Sequence, residues 1–316
     1  MRITVLAGGV GGSRFLVGVR AMEPAPEITA IVNTGDDAWV AGLRIAPDLD
    51  TIMYRLAGVN DEERGWGRAG ESERVSAELS AWGVGWPWFT LGDLDLGAHI
   101  ARTAWLREGA SLSEATRRLA SRWDLGVALL PATDDEQQTW VRLADGESMH
   151  FQEWWVRLRA GRPAIGFEAR GEARPAPGVL EAIADADAVL LAPSNPVVSI
   201  GAILRVPGIA EALRDTAAPV VGVSPIIGGA VVRGMADACL AAIGVETDAA
   251  AVALHYGART RGGVLDGWLV GEEDAASVPA IEAAGIRARA VPLWMRDVER
   301  SRALAAAALA LAGVAR

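Results

Sequence analysis

Two short acidic segments near the start of the chain hold residues suited to chemistry. Asn33-Thr34-Gly35-Asp36-Asp37 is followed about ten residues later by Pro47-Asp48-Leu49-Asp50-Thr51. Carboxylates aimed at a diphosphate repel it unless a hard divalent cation lies between them, and Mg²⁺ prefers one or two carboxylates with phosphate oxygens and water. The spacing therefore predicts a Mg²⁺–diphosphate site whose candidate ligands are Asp36, Asp37, Asp48 and Asp50. A helix N-cap is the alternative role for Asp48 or Asp50.

A third acidic segment, Gly92-Asp93-Leu94-Asp95, precedes His99. An imidazole and a carboxylate at this spacing can orient a substrate hydroxyl or act as a general base. A semi-buried structural histidine is the alternative, since Ile100-Ala101-Arg102 continues a helical pattern. We take Asp48, Asp50 and His99 as the candidate catalytic residues.

A glycine-rich turn, Gly8-Gly9-Val10-Gly11-Gly12, follows the apolar run at residues 3–7 and precedes a helical pattern. Glycine permits positive φ and close approach of the backbone, and a helix N-terminus offers free N–H groups to an anion. The turn is therefore predicted to bind a diphosphate, with Arg14 either adding charge to the site or lying on the surface. Because the spacing matches neither the usual dinucleotide fingerprint nor a P-loop, a tight structural turn is the alternative.

Hydroxyl and amide side chains follow two later apolar runs, at residues 188–192 and 219–223. In open α/β sheets ligands bind at the carboxyl ends of the strands, so donors placed there suit a purine edge, a sugar or a phosphate. Ordinary helix capping is the equal alternative. The candidate donor- and diphosphate-binding residues are Gly8, Gly9, Gly11, Gly12, Arg14, Ser194, Asn195, Ser199 and Ser224.

These segments need a scaffold that brings strand ends together. A strand, a glycine turn, a helix and a second strand within about 30 residues form a βαβ unit. We predict an α/β fold: a Rossmann-like doubly wound, mainly parallel sheet with an inserted helical, Trp-rich subdomain. Residues 1–51 and 176–316 are assigned to the nucleotide- and diphosphate-binding core. Residues 52–175 are assigned to a mainly helical lid or acceptor subdomain that includes strand-like alternation and an Asp145-Gly146 hairpin turn.

Composition excludes several classes of function. The formal charge of −10 argues against binding to nucleic acid or to an acidic membrane surface. The sequence contains no lysine, which excludes a Schiff base and a Walker-type phosphate lysine. Its single cysteine, Cys239, excludes an internal disulfide and is expected in a buried helix. No apolar run is long enough for a membrane span, so we expect a cytoplasmic protein, and apolar helices in the middle region favour a homodimer.

Six segments, taken in order, resemble the 2-phospho-L-lactate transferase family of coenzyme F420 biosynthesis. They are Ala7-Gly8-Gly9-Val10-Gly11-Gly12, Asn33 to Asp37, Pro47-Asp48-Leu49-Asp50-Thr51, His150-Phe151-Gln152-Glu153-Trp154-Trp155, Ala192-Pro193-Ser194-Asn195-Pro196 and Val223-Ser224-Pro225-Ile226-Ile227. The resemblance covers essentially the whole chain. It is strongest to the actinobacterial phosphoenolpyruvyl transferase members, which Gly65-Trp66-Gly67 and Ser199-Ile200-Gly201 also resemble.

The resemblance implies a Mg²⁺-dependent phosphotransferase acting on substituted phosphate groups. Such an enzyme moves phosphoenolpyruvate or 2-phospho-L-lactate from a guanosine diphospho-acid to a ribityl hydroxyl of the deazaflavin Fo. It releases GMP together with F420-0 or its dehydro form. Because Fo is flat, the tryptophans of the middle region are suited to stack on it. The expected acceptor-binding residues are Asp50, Asp93, Asp95, Trp88 and Trp154.

One position departs from the family pattern. Family members commonly carry arginine where this chain has Leu94, so either Arg102, Arg44 or Arg68 replaces it or the acid group of the donor is recognised differently. A related family of the same fold binds nucleotide sugars and regulates cell-wall metabolism, and a non-enzymatic regulator of that kind is the alternative function. That family usually lacks the Pro-Asp-Leu-Asp-Thr and His-Phe-Gln-Glu-Trp-Trp segments. A dehydrogenase is disfavoured because Asn33, rather than an acid, ends the second strand.

Overall fold

The computed structural model describes residues 1–314. Its strands are β1 (Arg2–Ala7), β2 (Glu27–Val32), β3 (Ala38–Val40), β4 (Leu43–Ile45), β5 (Ala128–Pro131), β6 (Gln138–Leu143), β7 (Ser148–His150), β8 (Ala164–Arg170), β9 (Ala188–Leu191), β10 (Val220–Val223), β11 (Ile226–Ile227), β12 (Ala230–Val231), β13 (Gly267–Gly271) and β14 (Arg287–Val291).

Helices connect the strands and cover the sheets. The α-helices are α1 (Gly9–Arg20), α2 (Pro47–Leu56), α3 (Arg74–Ala81), α4 (Asp93–Arg107), α5 (Leu112–Ala120), α6 (Val179–Ala184), α7 (Gly201–Leu204), α8 (Ile209–Asp215), α9 (Ala236–Ala242), α10 (Ala249–Tyr256), α11 (Val278–Ala283) and α12 (Val298–Ala312). Short π-helical turns lie at Glu153–Arg157 and Pro196–Ile200, and 3₁₀ turns lie at Arg259–Arg261 and Glu272–Ser277.

The central sheet has seven strands in the order β14-β13-β10-β9-β1-β2-β5. Each neighbouring pair in it is parallel. The chain order runs outward in both directions from the boundary between β1 and β9, which is the topological switch point of a doubly wound sheet. The predicted fold class is confirmed.

The sheet is buried on both faces, which explains its continuous apolar strands. Val5 and Leu6 are adjacent on β1, yet Val5 packs with residues of α1 and α12 while Leu6 packs on the opposite face with residues of α6 and α8. Helices α1 and α12 approach closely at Gly18. A Cβ placed on that residue would lie only 2.2 Å from the carbonyl oxygen of Ser301. Cys239 is buried in the core, as expected for a structural cysteine.

The middle of the chain is less separate from the core than the predicted boundaries imply. Strand β5 lies inside the segment 52–175 but pairs with β2 as an edge strand of the central sheet. Strand β5 therefore belongs to the core. The residue pattern did not show which sheet this strand joins, because an edge strand of the central sheet resembles a strand of a separate sheet. Strands β7, β6 and β8 form a separate antiparallel sheet in which the turn at Asp145-Gly146 joins β6 to β7. The division of the remaining segment into a lid or acceptor subdomain stays a prediction.

Within residues 1–314, no single helix has both the length and the apolar character needed to cross a membrane. One bent pair, Pro196–Leu204 with Ile209–Asp215, meets those two criteria only when its members are taken together.

Candidate active site

A cavity of about 820 Å³ lies where the loops after β1, β2, β9 and β10 meet. This volume is within the range of pockets that enclose a cofactor-sized ligand. Its lining includes the glycine turn and the first turn of α2, which we call the glycine-turn wall, and several tryptophans, which we call the aromatic wall. The sequence-predicted segments therefore come together at the switch point of the sheet.

The glycine turn is joined to the loop after β9. The backbone N–H of Gly8 donates to Ser194 Oγ at 3.0 Å, and the Ser194 hydroxyl donates to the Gly8 carbonyl at 2.7 Å. A Cβ on Gly11 would lie 2.2 Å from the carbonyl oxygen of Pro193, and Gly9 has a positive φ of 57°. The glycines are thus required by the close approach of two loops, and Gly8, Gly9 and Gly11 also line the cavity.

The other polar residues at the strand ends have mixed roles. Ser194, Asn195, Ser199 and Ser224 all line the cavity. Asn195 Oδ1 accepts from the N–H groups of the turn that follows it, at 2.9 and 3.2 Å, so it serves as a helix cap. The Ser224 hydroxyl donates to the carbonyl of Ile226 at 2.9 Å. Asn195 and Ser224 thus border the cavity and also stabilise the loops in which they lie.

Asp48 and Asp36 are buried beside each other on the glycine-turn wall. Asn33 Nδ2 donates to Asp48 Oδ2 at 2.9 Å. Burial raises the pKa of Asp48 to about 6. Burial, reinforced by repulsion from Asp48 and Asp37, raises the pKa of Asp36 well above its ordinary value. A cation bound beside these two carboxyls would favour their charged forms.

Neither Asp48 nor Asp50 caps α2. The N-cap is Ala46, which contributes no side-chain hydrogen bond, and both aspartates lie inside the first turn. Helix α2 begins at Pro47, directly after β4. Its first turn faces the interior, so both carboxyls are buried. The capping alternative is therefore wrong for both residues.

Asp50, His99 and Asp95 form a buried network with Tyr54 and Arg102. The Tyr54 hydroxyl donates to Asp95 Oδ1 at 2.7 Å, and Arg102 Nη2 donates to Asp50 Oδ1. His99 Nε2 lies 3.3 Å from Asp95 Oδ1, and His99 Nδ1 lies 3.5 Å from Asp50 Oδ2. Asp50, Asp95 and His99 line the cavity, which is consistent with their predicted involvement in the site.

Asp37 does not line the cavity. It is fully buried behind the site, where Arg44 Nη2 lies 3.2 Å from its Oδ2 atom. Burial raises the pKa of Asp37 to about 7, although Arg44 and Arg102 oppose the shift. The structure thus separates Asp37 from the other three predicted metal ligands.

Two of the remaining carboxylates have an oxygen that is available to a cation. Asp36 Oδ1 and Asp50 Oδ2 are buried and have no hydrogen-bond partner among residues 1–314. Unpaired buried carboxylate oxygens are costly unless a cation or a ligand donor contacts them. Asp50, Asp95 and His99 also present ligand atoms within 4.8 Å of one another, but Arg102 lies 3.1 Å from Nδ1 of that histidine, which disfavours a metal on that nitrogen.

Two predicted acceptor residues lie elsewhere. Asp93 is exposed at the start of α4, where it accepts from the N–H and hydroxyl of Ser72 at 2.9 Å. Trp154 is buried in the core and donates from Nε1 to the carbonyl of Arg162 at 2.8 Å. Its neighbour Trp155 lines the cavity instead, because successive side chains on the helical turn at Glu153–Arg157 point in different directions. Trp88 lines the cavity as predicted.

The aromatic wall draws on distant parts of the chain. The indole of Trp88 stacks on that of Trp86 with ring centroids 4.9 Å apart and planes 15° apart. Trp66, Trp155 and Trp294 also line the cavity. Trp294 follows β14, so the wall is not confined to the middle region.

Comparisons with known proteins identify the family of this chain. A family model described as 2-phospho-L-lactate transferase CofD matches residues 3–306. The chain belongs to this family. The chain is also similar to the phosphoenolpyruvate transferase of Streptomyces griseus subsp. griseus, with 56% identity covering 99% of this chain and 98% of the relative. It is 53% identical to the phosphoenolpyruvate transferase of Mycolicibacterium smegmatis, over 99% of each chain.

A solved structure shares the fold. A member of the UPF0052 family from Bacillus halodurans superimposes with a TM-score of 0.65 and 19% identity, covering 98% of this chain and all of that one. At this level of identity the likeness concerns the fold alone. It agrees with the mostly parallel seven-stranded sheet.

In this member of the 2-phospho-L-lactate transferase family, the arginines that line the cavity are Arg14, Arg233 and Arg296. Leu94 is exposed and does not line the cavity. Arg44 and Arg102 are engaged with buried aspartates, and Arg68 lies over the rings of Tyr54 and Trp123. No local pattern marked Arg233 or Arg296 in the sequence, because only the folded loops bring them to the cavity.

Proposed function

We propose that this protein transfers a phospho-acid group from a guanosine diphospho-acid to the ribityl hydroxyl of Fo, giving F420-0 or its dehydro form and GMP. The hydroxyl oxygen forms a bond to the phosphorus that carries the acid. The bond from that phosphorus to the bridging oxygen breaks, and GMP leaves. The names of the relatives, phosphoenolpyruvate transferase, favour phosphoenolpyruvate over 2-phospho-L-lactate as the group transferred.

The observation that carries this proposal is that one cavity is lined by the glycine turn, by buried aspartates and by several tryptophans. The glycine turn at the N-terminus of α1, with the nearby buried aspartates, suits a diphosphate and its cation. The tryptophans suit a flat ring system. A transfer between a nucleotide and a deazaflavin needs both groups of residues in one site.

Positioning and charge neutralisation supply most of the catalysis in such a transfer. Asp36 and Asp50, which have unpaired buried oxygens, would be the residues that hold Mg²⁺. When bound, the cation neutralises charge on the diphosphate. Asp48 is suited to accept the hydroxyl proton, because burial raises its pKa to about 6. Arg14, on the same wall, adds positive charge beside the glycine turn.

The acceptor would occupy the aromatic wall. Trp88 and Trp155 offer ring faces or edges to the deazaflavin. Asp95 and His99 lie at the junction of the two walls, within the network that contains Asp50. From this junction they can orient the ribityl chain.

Incubation of the purified protein with Mg²⁺, Fo and each guanosine diphospho-acid tests the proposal, with the product identified by mass spectrometry. We expect product and GMP in equal amounts, and faster turnover with the phosphoenolpyruvyl donor. Asp50→Asn should abolish turnover, whereas Asp215→Asn, at an exposed position at the end of α8, should not.

Ligand-binding measurements distinguish the proposed transferase from the alternative, a regulator that binds a nucleotide sugar. Fo fluorescence should change on addition of the protein, and Mg²⁺ should raise the melting temperature of the wild type more than that of Asp50→Asn. A protein that binds a nucleotide sugar, fails to bind Fo and turns over neither donor would instead be a regulator.

A further inference from the structure

Arg102 is a buried cation that contacts three groups at the edge of the site. Its side chain is 1% exposed. Nη2 donates to Asp50 Oδ1, while Nη1 lies 3.1 Å from His99 Nδ1 and donates to the carbonyl of Arg44 at 3.2 Å. A guanidinium is a donor only, with its N–H groups in a fixed plane. The atoms that face its N–H groups must therefore act as hydrogen-bond acceptors.

These contacts determine where the proton of His99 resides. Nδ1 faces an N–H of Arg102, so it must present its lone pair; a proton there would place two donors against each other. Nε2 lies 3.3 Å from Asp95 Oδ1, close although not fully aligned as a hydrogen bond. Asp95 Oδ1 is an acceptor, because the Tyr54 hydroxyl donates to the same oxygen at 2.7 Å. Both sides of the ring favour the tautomer protonated at Nε2.

This tautomer affects the oxygen of Asp50 that lies in the site. Asp50 Oδ2 lies 3.5 Å from His99 Nδ1, and a proton on Nδ1 would be directed to that oxygen. With the proton on Nε2, Oδ2 receives no donor from the imidazole. Among residues 1–314 it has no hydrogen-bond partner.

We propose that Arg102 is a positioning residue that holds Asp50 through Oδ1 and keeps His99 in its Nε2-protonated tautomer, so that Asp50 Oδ2 stays open to a ligand. The inference rests on the proposed function only where it concerns turnover. The arrangement of protons is a property of the protein alone.

The tautomer can be measured without substrate. The chain has three histidines, so a ¹⁵N imidazole spectrum of the labelled protein is simple, and loss of one set of signals in His99→Gln assigns His99. At about pH 8, above the ordinary imidazole pKa, we expect a protonated Nε2 and an unprotonated Nδ1. A proton on Nδ1 in the wild type would overturn the proposal, whether or not the protein is a transferase.

Two variants test which residue sets the tautomer. Arg102→Lys keeps the charge but cannot contact both Asp50 and His99 in the same way, so we expect signals from the tautomer protonated at Nδ1. Asp50→Asn keeps Arg102, so the wild-type tautomer should persist. Arg44→Lys is the matched control, because Arg44 is an equally buried arginine paired with Asp37 that has no hydrogen bond to His99. An unchanged tautomer in a folded Arg102→Lys, or a changed one in Asp50→Asn, contradicts the proposal.

Turnover provides the second measurement. Loss of an orienting partner behind a ligand-binding group typically costs about 10- to 100-fold, so kcat of Arg102→Lys should fall by that factor. KM for Fo should change by less than about threefold, because the contacts of Arg102 are with Asp50, His99 and Arg44 and not with the tryptophans that would stack on Fo. If Arg102→Lys does not fold, a proton on Nδ1 in the wild type or in Asp50→Asn still overturns the proposal. If neither donor is turned over by the wild type, the proposed function fails while the tautomer remains testable.

Discussion

The buried aspartates of this site differ in how their charge is compensated. Asp37 and Asp50 each contact a buried arginine. In the described part of the chain, Asp48 has no arginine within ion-pair distance, and its polar contacts include the amide of Asn33 and the backbone N–H of Gly9. The pKa of Asp48, which burial raises to about 6, lies within the pH range of an unfolding experiment.

Asp48→Asn should remove a pH dependence of stability in the metal-free protein. Burial raises the pKa of Asp48 to about 6, above its value in the unfolded chain, so the folded state binds the proton more tightly. The wild type therefore loses stability relative to the variant as pH rises from about 4 to about 6, by about 2–3 kcal/mol. Denaturant unfolding with a chelator present measures the difference, and a gap that stays constant across that pH range would contradict the assignment.

Adjacent tryptophans should respond differently to truncation. Trp154 is buried in the core, so Trp154→Ala should lower the free energy of unfolding by about 3–5 kcal/mol. Trp155 lines the cavity, so Trp155→Ala should weaken Fo binding by about tenfold with a smaller loss of stability. Fluorescence titration and denaturant unfolding measure the two effects. Equal loss of Fo affinity in a folded Trp154→Ala would argue against the aromatic wall described here.

At the scale of elements, the site depends on the loop after β1 lying against the loop after β9. A Cβ on Gly11 would meet the carbonyl oxygen of Pro193 at 2.2 Å, and neither backbone can move without shifting its strand. Gly11→Ala should therefore cost about 1–3 kcal/mol of stability. It should also weaken donor binding, because the turn would move away from the cavity.

Gly97→Ala is the matched control for that substitution. Gly97 is exposed within α4, and among residues 1–314 no atom beyond its chain neighbours and the nearby helix backbone lies within 4 Å of a Cβ built there. Alanine should stabilise the helix by about 0.5–1 kcal/mol. Thermal unfolding of both variants tests the pair, and a neutral Gly11→Ala would show that the two loops are not in the contact described.

At the scale of the whole molecule, the formal charge of −10 opposes the approach of an anionic donor. Arg14, Arg233 and Arg296 give one side of the cavity the opposite charge. Arg233→Gln should raise KM for the donor by about tenfold and leave Fo affinity unchanged within about twofold. Arg174→Gln, at an arginine whose side chain is 88% exposed and which does not line the cavity, is the control. Equal changes in KM for the donor and in Fo affinity would show that Arg233 does not specifically recognise the donor.

The local sequence was sufficient to predict those features of the protein that depend on residues close together in the chain. Alternation, apolar runs and the glycine turn predicted the parallel sheet, because a strand buried on both faces must be apolar along its length. The carboxyl ends of parallel strands share one edge of the sheet, so the segments at Asn33, Asp48 and Ser194 could be expected to meet. The family followed from the order of the motifs. The homodimer and the cytoplasmic location stay predictions.

Only the tertiary structure decided which member of each motif faces the cavity. Asp37 and Asp48 are both acidic and lie near each other in sequence, yet an arginine behind the site pairs with the first and the second lines the cavity. A π-helical turn separates Trp154 from Trp155, and distant loops bring Arg233 and Trp294 to the same space. Orientation and long-range contact depend on packing across the whole chain, and a pattern of residue types does not specify them.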